Sequence, residues 1–158
     1  MLPVRAFRIF LLCVLAGASA GCALLDTTND IEITVVPDES VYDRSASTKV
    51  RLRLHNSGAT TVLFNTCGKQ RFERLDKGRL TDTWTRERSC ECLCEFRLKP
   101  GEVKEMATSF TEMRSMAGEL ETASEISYRF LPVMYFKEDA WRLVDRGTIR
   151  VKAFRFVR

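Results

Sequence analysis

Cysteines carry the densest chemistry in this sequence. Cys90, Cys92 and Cys94 alternate within "SCECLCEF" at residues 89–96, and Cys67 stands apart in "FNTCG". In an extended strand Cys90, Cys92, Cys94, Phe96 and Leu98 point to one face while Glu91, Glu95 and Arg97 point to the other. The thiols are therefore expected to face inward, where cysteine packs as a small hydrophobe. An oxidising compartment would add the disulfide, and geometry limits it. Alternate residues of one strand hold their β-carbons about 7 Å apart, whereas a bridge needs about 3.5–4.5 Å, so the extended triplet cannot pair within itself. Cys67 is the natural partner. The alternative is a zinc site at Cys67, Cys90, Cys92 and Cys94. Structural zinc sites use two-residue spacers at a turn so that ligands converge on one ion, and C-x-C-x-C in a strand splays them apart. Metal binding thus requires this segment to loop. A thiol-redox role would want the C-x-x-C spacing, which does not occur.

Other catalytic combinations find little to use. The single histidine, His55, follows a run of alternating residues and precedes the turn Asn56-Ser57-Gly58. No serine or cysteine forms a recognisable nucleophile motif with it, so a turn-bonding or exposed histidine is expected. Glycine-rich phosphate loops are absent from the sequence. The chain is expected to be neither an enzyme nor a holder of a cofactor.

The first residues set the compartment. Arg5 and Arg8 precede the apolar run Ile9 to Leu15, and Ala16 to Gly21 are all small. That is the three-part layout of an export signal, with an apolar core shorter than the roughly 20 residues a bilayer crossing needs. Two cleavage readings compete. Ala18, Ser19 and Ala20 satisfy the small-x-small rule, which would release a soluble secreted or periplasmic chain beginning at Gly21. Alternatively, Ser19-Ala20-Gly21-Cys22 resembles the lipobox of bacterial lipoproteins, which implies a diacylated Cys22 and cleavage just ahead of it. Cysteine arithmetic favours the second reading. Cys13 leaves with the signal, and a lipid on Cys22 leaves an even set of four thiols in the domain. Each buried methylene contributes about 0.8 kcal/mol, so two or three acyl chains anchor firmly where one would not.

Residues 1–21 are then the signal peptide, 22–30 the lipidated cysteine and a short tether, and 31–158 the folded domain. Fully extended, the eight residues from Ala23 to Asp30 reach no further than about 28 Å, which keeps the domain near the bilayer. Ala23 stands where the retention aspartate of enterobacterial lipoproteins would be, and that resemblance implies an outer-membrane destination in the cell envelope.

Removing the signal takes two arginines and no acid from 25 basic and 21 acidic residues, leaving a near-neutral domain with nothing to attract nucleic acid. The composition, 45% hydrophobic and 29% charged, suits one folded core. Lys49, Arg51 and Arg53 alternate with Val50, Leu52 and Leu54, and Arg150 and Lys152 alternate with Ile149 and Val151. This is the solvated face of half-buried strands; the sharper reading is contact with anionic headgroups or an acidic partner.

The same period of two recurs at Ile31 to Val35, Thr60 to Asn65, Phe72 to Leu75, Arg79 to Trp84, up to Leu98, Val103 to Phe110, Ile126 to Phe136 and Thr148 to Phe156. "NSG", "DKG" and "KPGE" supply turns. The expected fold is all-β: an antiparallel immunoglobulin-like β-sandwich of about seven strands. Met113, Met116, Ala117 and Leu120 fall on one helical face, so a short helical connection near 111–121 interrupts the strands, its methionines read as packing ahead of recognition. Pro132 marks a bulge or an edge.

The region from about 50 to 110 resembles some bacterial secreted immunoglobulin-like modules, which carry a cysteine-glycine followed by a second cysteine ahead of a "PGE" turn. That resemblance implies one disulfide, from Cys67 to Cys92 as the middle of the triplet, with Cys90 and Cys94 as alternatives. The function these features suggest is a lipid-anchored, non-catalytic envelope module presenting its sandwich to a protein partner. The alternatives are a metal-handling or thiol-redox lipoprotein built on the four cysteines, and a protease-inhibitor-like module suggested by fold analogy.

Overall fold

A computed structural model describes residues 31–66, 68–87, 95–137 and 142–158. The signal, the tether and all six cysteines lie outside these residues, and with them the lipidation, disulfide and metal-site expectations.

The expected sandwich forms, because the alternating runs bury one face each. The first sheet takes β1 (Ile33–Pro37) and β3 (Lys49–Asn56), with β8 (Val103–Ser109) outside β3 and β11 (Ile149–Val151) outside β1. Ile33, Val35, Val50, Leu52 and Leu54 are buried, while Lys49, Arg51 and Arg53 remain exposed. A second sheet orders β6 (Arg79–Glu87), β5 (Lys69–Asp76) and β9 (Ile126–Pro132). A third orders β10 (Met134–Phe136), β4 (Val62–Asn65) and β7 (Glu95–Leu98). β2 (Val41–Asp43) and β12 (Arg155–Val157) make a short pair. One cluster of buried side chains draws on all of them. Its aromatic spine runs from Phe72, stacked 5.2 Å from Tyr128, through Phe156 to Phe110 and Tyr42.

Local chemistry sets the turns. Lys77 (φ 47°) and Gly78 (φ 78°) are both left-handed between the paired residues Asp76 and Arg79, the two-residue hairpin loop whose twist suits the strands. In "KPGE", Gly101 has φ 74° at the third position, and the Glu102 amide donates to the Lys99 carbonyl at 3.0 Å, which is a type II turn. Asn56 is the buried knot between the first and third sheets. Its amide donates to the carbonyls of Thr60 (2.8 Å) and Leu98 (3.0 Å), and its side-chain oxygen accepts from Gly58 N–H (3.1 Å).

The helical connection is α1 (Phe110–Ala117). Ser109 caps it, accepting from Glu112 N–H at 3.1 Å while the Glu112 carboxylate accepts from Ser109 N–H at 3.0 Å; this reciprocal box satisfies two otherwise orphaned amides. Gly118 (φ 77°) ends it. Met113 is fully buried and Met116 and Ala117 are partly so, with Leu120 buried beyond the cap. On the described surfaces these residues pack the core.

Three features depart from the sequence expectation. The run expected from Ile126 to Phe136 is two strands in two sheets. Pro132 is the last residue of β9, opposite Gln70 on the edge strand, where its missing amide faces away from β5, and Val133 N–H still donates to the Lys69 carbonyl before β10 begins. The run from Thr148 to Phe156 likewise divides, as Lys152 N–H reaches Val35 and Arg155 N–H reaches Ser40. β11 with β1 and β12 with β2 are parallel pairs in an otherwise antiparallel fold, and β2, with only three residues, gave no periodic signal.

Candidate functional site

Alternation along β5 and β9 sends Phe72, Tyr128 and Phe130 to the core and leaves Arg71, Glu73, Arg129 and Leu131 on the opposite face. That outer face would ordinarily be solvated. Here the chain from Arg142 to Ile149, with a 3₁₀ turn at Arg146–Thr148, lies against it, and Glu73 retains only 2% of its side-chain exposure.

Three guanidinium groups meet this carboxylate. Arg146 binds it bidentately, Nε to Oε1 at 2.8 Å and Nη2 to Oε2 at 2.9 Å, while its Nη1 donates to the Ile149 carbonyl at 2.6 Å. Arg71 Nε donates to Oε1 at 2.7 Å, and Arg129 Nε stands 3.4 Å from Oε2. Burial pushes the Glu73 carboxyl up, and the hydrogen bond and charge of Arg146, with the charges of Arg129 and Arg71, more than reverse this and hold it below the usual carboxylate range. Arg146 thereby pins the covering segment to the sheet.

Beside the cluster lies a cavity of about 450 Å³ between the sheet's outer face and the covering segment. Its cationic side is Lys69, Arg71 and Arg146, and its apolar wall includes Leu131, Val133 and Val144. Arg146 has committed its donors. Arg71 has committed only Nε, so its two terminal nitrogens, the Lys69 ammonium and the Thr85 hydroxyl have no hydrogen-bond partner among the described residues.

The second feature of this sheet is its edge. β6 ends the row, and of its nine residues only Trp84, 5.6 Å from Phe72, is partly covered. Because Lys69 receives a bond from Val133, its main chain faces β9; by alternation Gln70, Phe72 and Arg74 face β6, as the Thr81 hydroxyl bonded to the Arg74 carbonyl confirms. Their partners Arg86, Trp84 and Asp82 are thereby used, and Thr83, Thr85 and Glu87 turn their amides and carbonyls outward. Thr83 N–H is taken by the Asp82 carboxylate at 2.8 Å.

The residues singled out by sequence fare differently. Cys22, Cys67, Cys90, Cys92 and Cys94 lie outside the described residues. The described strands next to two of them are neighbours: β4, which ends two positions before Cys67, pairs with β7, which begins directly after Cys94, with Asn65 opposite Glu95. His55 sits in β3 opposite Thr34 and Val103. No group of three histidine, cysteine or acidic residues that could hold a metal occurs among the described residues, and none of their helices is long and apolar enough to cross a membrane. The Glu73 cluster went unanticipated; the one trace of it in the sequence is an acid within the alternation of "RFERLD".

The fold and this face define a β-sandwich module. No family model matches the chain, and no curated protein does. Among solved structures, the chain is similar to Spo0M, a sporulation control protein from Bacillus subtilis, at 8% identity and a TM-score of 0.41, covering 82% of this chain and half of that one. It is also similar to the CARDB domain of the PF1109 protein from Pyrococcus furiosus, described in complex with di-metal ions, at 13% identity and a TM-score of 0.31 over 82% of this chain and 96% of that one. A β-glucosidase from Erythrobacter marinus is similar at 11% identity and a TM-score of 0.35, with 80% of this chain covering 16% of the enzyme. No activity is carried over from them.

Proposed function

We propose that the protein is a lipid-anchored, non-catalytic module of the bacterial cell envelope that presents its sandwich to a protein partner. The observation behind the partner is the outer edge of β6, where Thr85 and Glu87 turn their amides and carbonyls, and Thr83 its carbonyl, away from the sheet, a row that can accept an added strand. The anchored form rests on the lipobox-like Ser19-Ala20-Gly21-Cys22, with the outer membrane as destination. A disulfide from Cys67 to Cys92 accompanies this reading, with Cys90 or Cys94 as the alternative partner, and the adjacency of β4 and β7 supports it.

Intact-mass spectrometry of membrane-extracted protein tests the anchor. The expected result is a chain beginning at Cys22 with a diacylglyceryl group; an unacylated chain recovered in the soluble periplasm overturns it. Non-reducing peptide mapping that finds Cys67 as a free thiol removes the bridge. A photo-crosslinking residue at Thr83 should trap one defined protein in intact cells, and the trapping should vanish with Glu87→Pro, which removes an uncommitted outward amide from the edge.

A further inference from the structure

We propose that the cavity between the outer face of β5 and β9 and the segment from Leu143 to Ile149 binds an anionic amphiphile, a carboxylate or phosphate on an aliphatic tail. The inference does not depend on the anchor or on the β6 edge. Four observations carry it.

The first is charge. Lys69, Arg71, Arg129 and Arg146 gather around Glu73 and Asp145, with Glu87 opposite Lys69 on β6, and Asp145 is already occupied as the cap of the 3₁₀ turn, accepting from Gly147 N–H at 2.8 Å. The neighbourhood holds one positive charge more than these acids neutralise. The second is the state of the donors. Arg71 is held rigid by its Nε bond to Glu73 and keeps both terminal nitrogens for a ligand, the forked arrangement that grips a carboxylate or phosphate. Lys69 and Thr85 open onto the same space.

The third is size. A space of about 450 Å³ lies within the roughly 300–1,000 Å³ of small-molecule sites, more than an inorganic anion fills. The fourth is the wall. Leu131, Pro132, Val133, Met134 and Val144 contribute apolar surface, and Leu143 stands 54% exposed at the cavity. An alkyl tail demands no hydrogen bonds of such a wall, whereas a peptide main chain would bring amides and carbonyls that need partners there. The lining includes no aromatic ring on which a nucleobase could stack, and its cations repel a metal ion.

The test is photolabelling of the full chain in native membranes with a diazirine-bearing fatty carboxylate, mapped by peptide mass spectrometry. Saturable labelling is expected on Leu131–Met134 and Leu143–Ile149. Octanoate or octyl phosphate should compete at least tenfold better than octanol, about 1.4 kcal/mol, and the stronger of the two anions identifies the headgroup. Arg71→Gln should weaken labelling by about tenfold, as charge-assisted contacts of this kind are lost. Because Arg71 also supports Glu73, Lys69→Gln and Leu143→Asp, neither of which touches Glu73, provide the same test in a chain whose fold is unperturbed; each should weaken labelling. Competition by octanol equal to that by octanoate, labelling unchanged in both cation variants, or unsaturable labelling scattered over the surface would each overturn the proposal, the last showing an adventitious additive only. Competition by an acidic peptide but not by octanoate would overturn it in favour of a protein ligand.

Discussion

Replacing Glu73 by glutamine keeps the shape and one acceptor oxygen but removes the charge that three arginines share. Breaking a buried ion pair from one side costs about 3–5 kcal/mol, because the partner is left charged and unpaired in a poor solvent. Glu73 is 2% exposed, but Arg71, Arg129 and Arg146 retain 30%, 24% and 21% of their side-chain exposure, so water can partly recover them. The lower end of the range applies, about 3 kcal/mol. Against a domain stability of about 5–15 kcal/mol that is a large fraction. Urea denaturation should show a lower midpoint with an unchanged slope, since the same surface is exposed on unfolding. Arg146→Met should cost less in the Glu73→Gln background than alone, as the pair's coupling is then already lost. The pH dependence follows in sign. The folded Glu73 carboxyl titrates below its ordinary 4.5, so the unfolded chain binds the proton first as acid is added. Its contribution is present in full above that ordinary value and is lost as pH falls through the folded value. The wild-type chain should therefore lose stability more steeply below about pH 5 than Glu73→Gln does. A loss smaller than about 1 kcal/mol, the worth of an exposed pair, would refute the claim that Glu73 pins the covering segment.

Asn56→Ala deletes a fully buried amide and strands the carbonyls of Thr60 and Leu98, and should cost about 2–3 kcal/mol in the same denaturation assay. Met113→Ala should cost about 3 kcal/mol and Met116→Ala distinctly less, because Met113 is fully buried while Met116 is only partly so. Ser109→Ala removes one half of the capping box and should lower stability by about 1 kcal/mol, read as an earlier thermal unfolding midpoint.

The strands were legible because their cause is local. Lys49 to Leu54 alternates charged and apolar side chains, and the structure buries Val50, Leu52 and Leu54 as that alternation requires. Gly78 and Gly101 name their turns by the positive φ values that glycine adopts without steric cost. The methionine spacing announced α1, and Ser109 with Glu112 marks where it starts. The division of the last two long runs was less legible: Pro132 hinted at the first, but which sheet each half joins depends on distant partners, Lys69 and Phe64 in one case and Val35 and Val41 in the other.

The cluster at Glu73 was hidden for the same reason. In sequence, Glu73 sits in "RFERLD" as an ordinary outward residue of a strand, and Arg146 lies 73 positions away. Period-two patterning tells which face of a strand avoids the core, and so the chain by itself determined an all-β sandwich, its hairpin turns and the helix Phe110–Ala117. Whether the other face meets water is decided by what else the fold lays across it. Only the tertiary structure placed the segment from Arg142 to Ile149 over that face, turning a surface acid into a buried anchor and enclosing the cavity beside it, because burial depends on neighbours in space that no local pattern encodes.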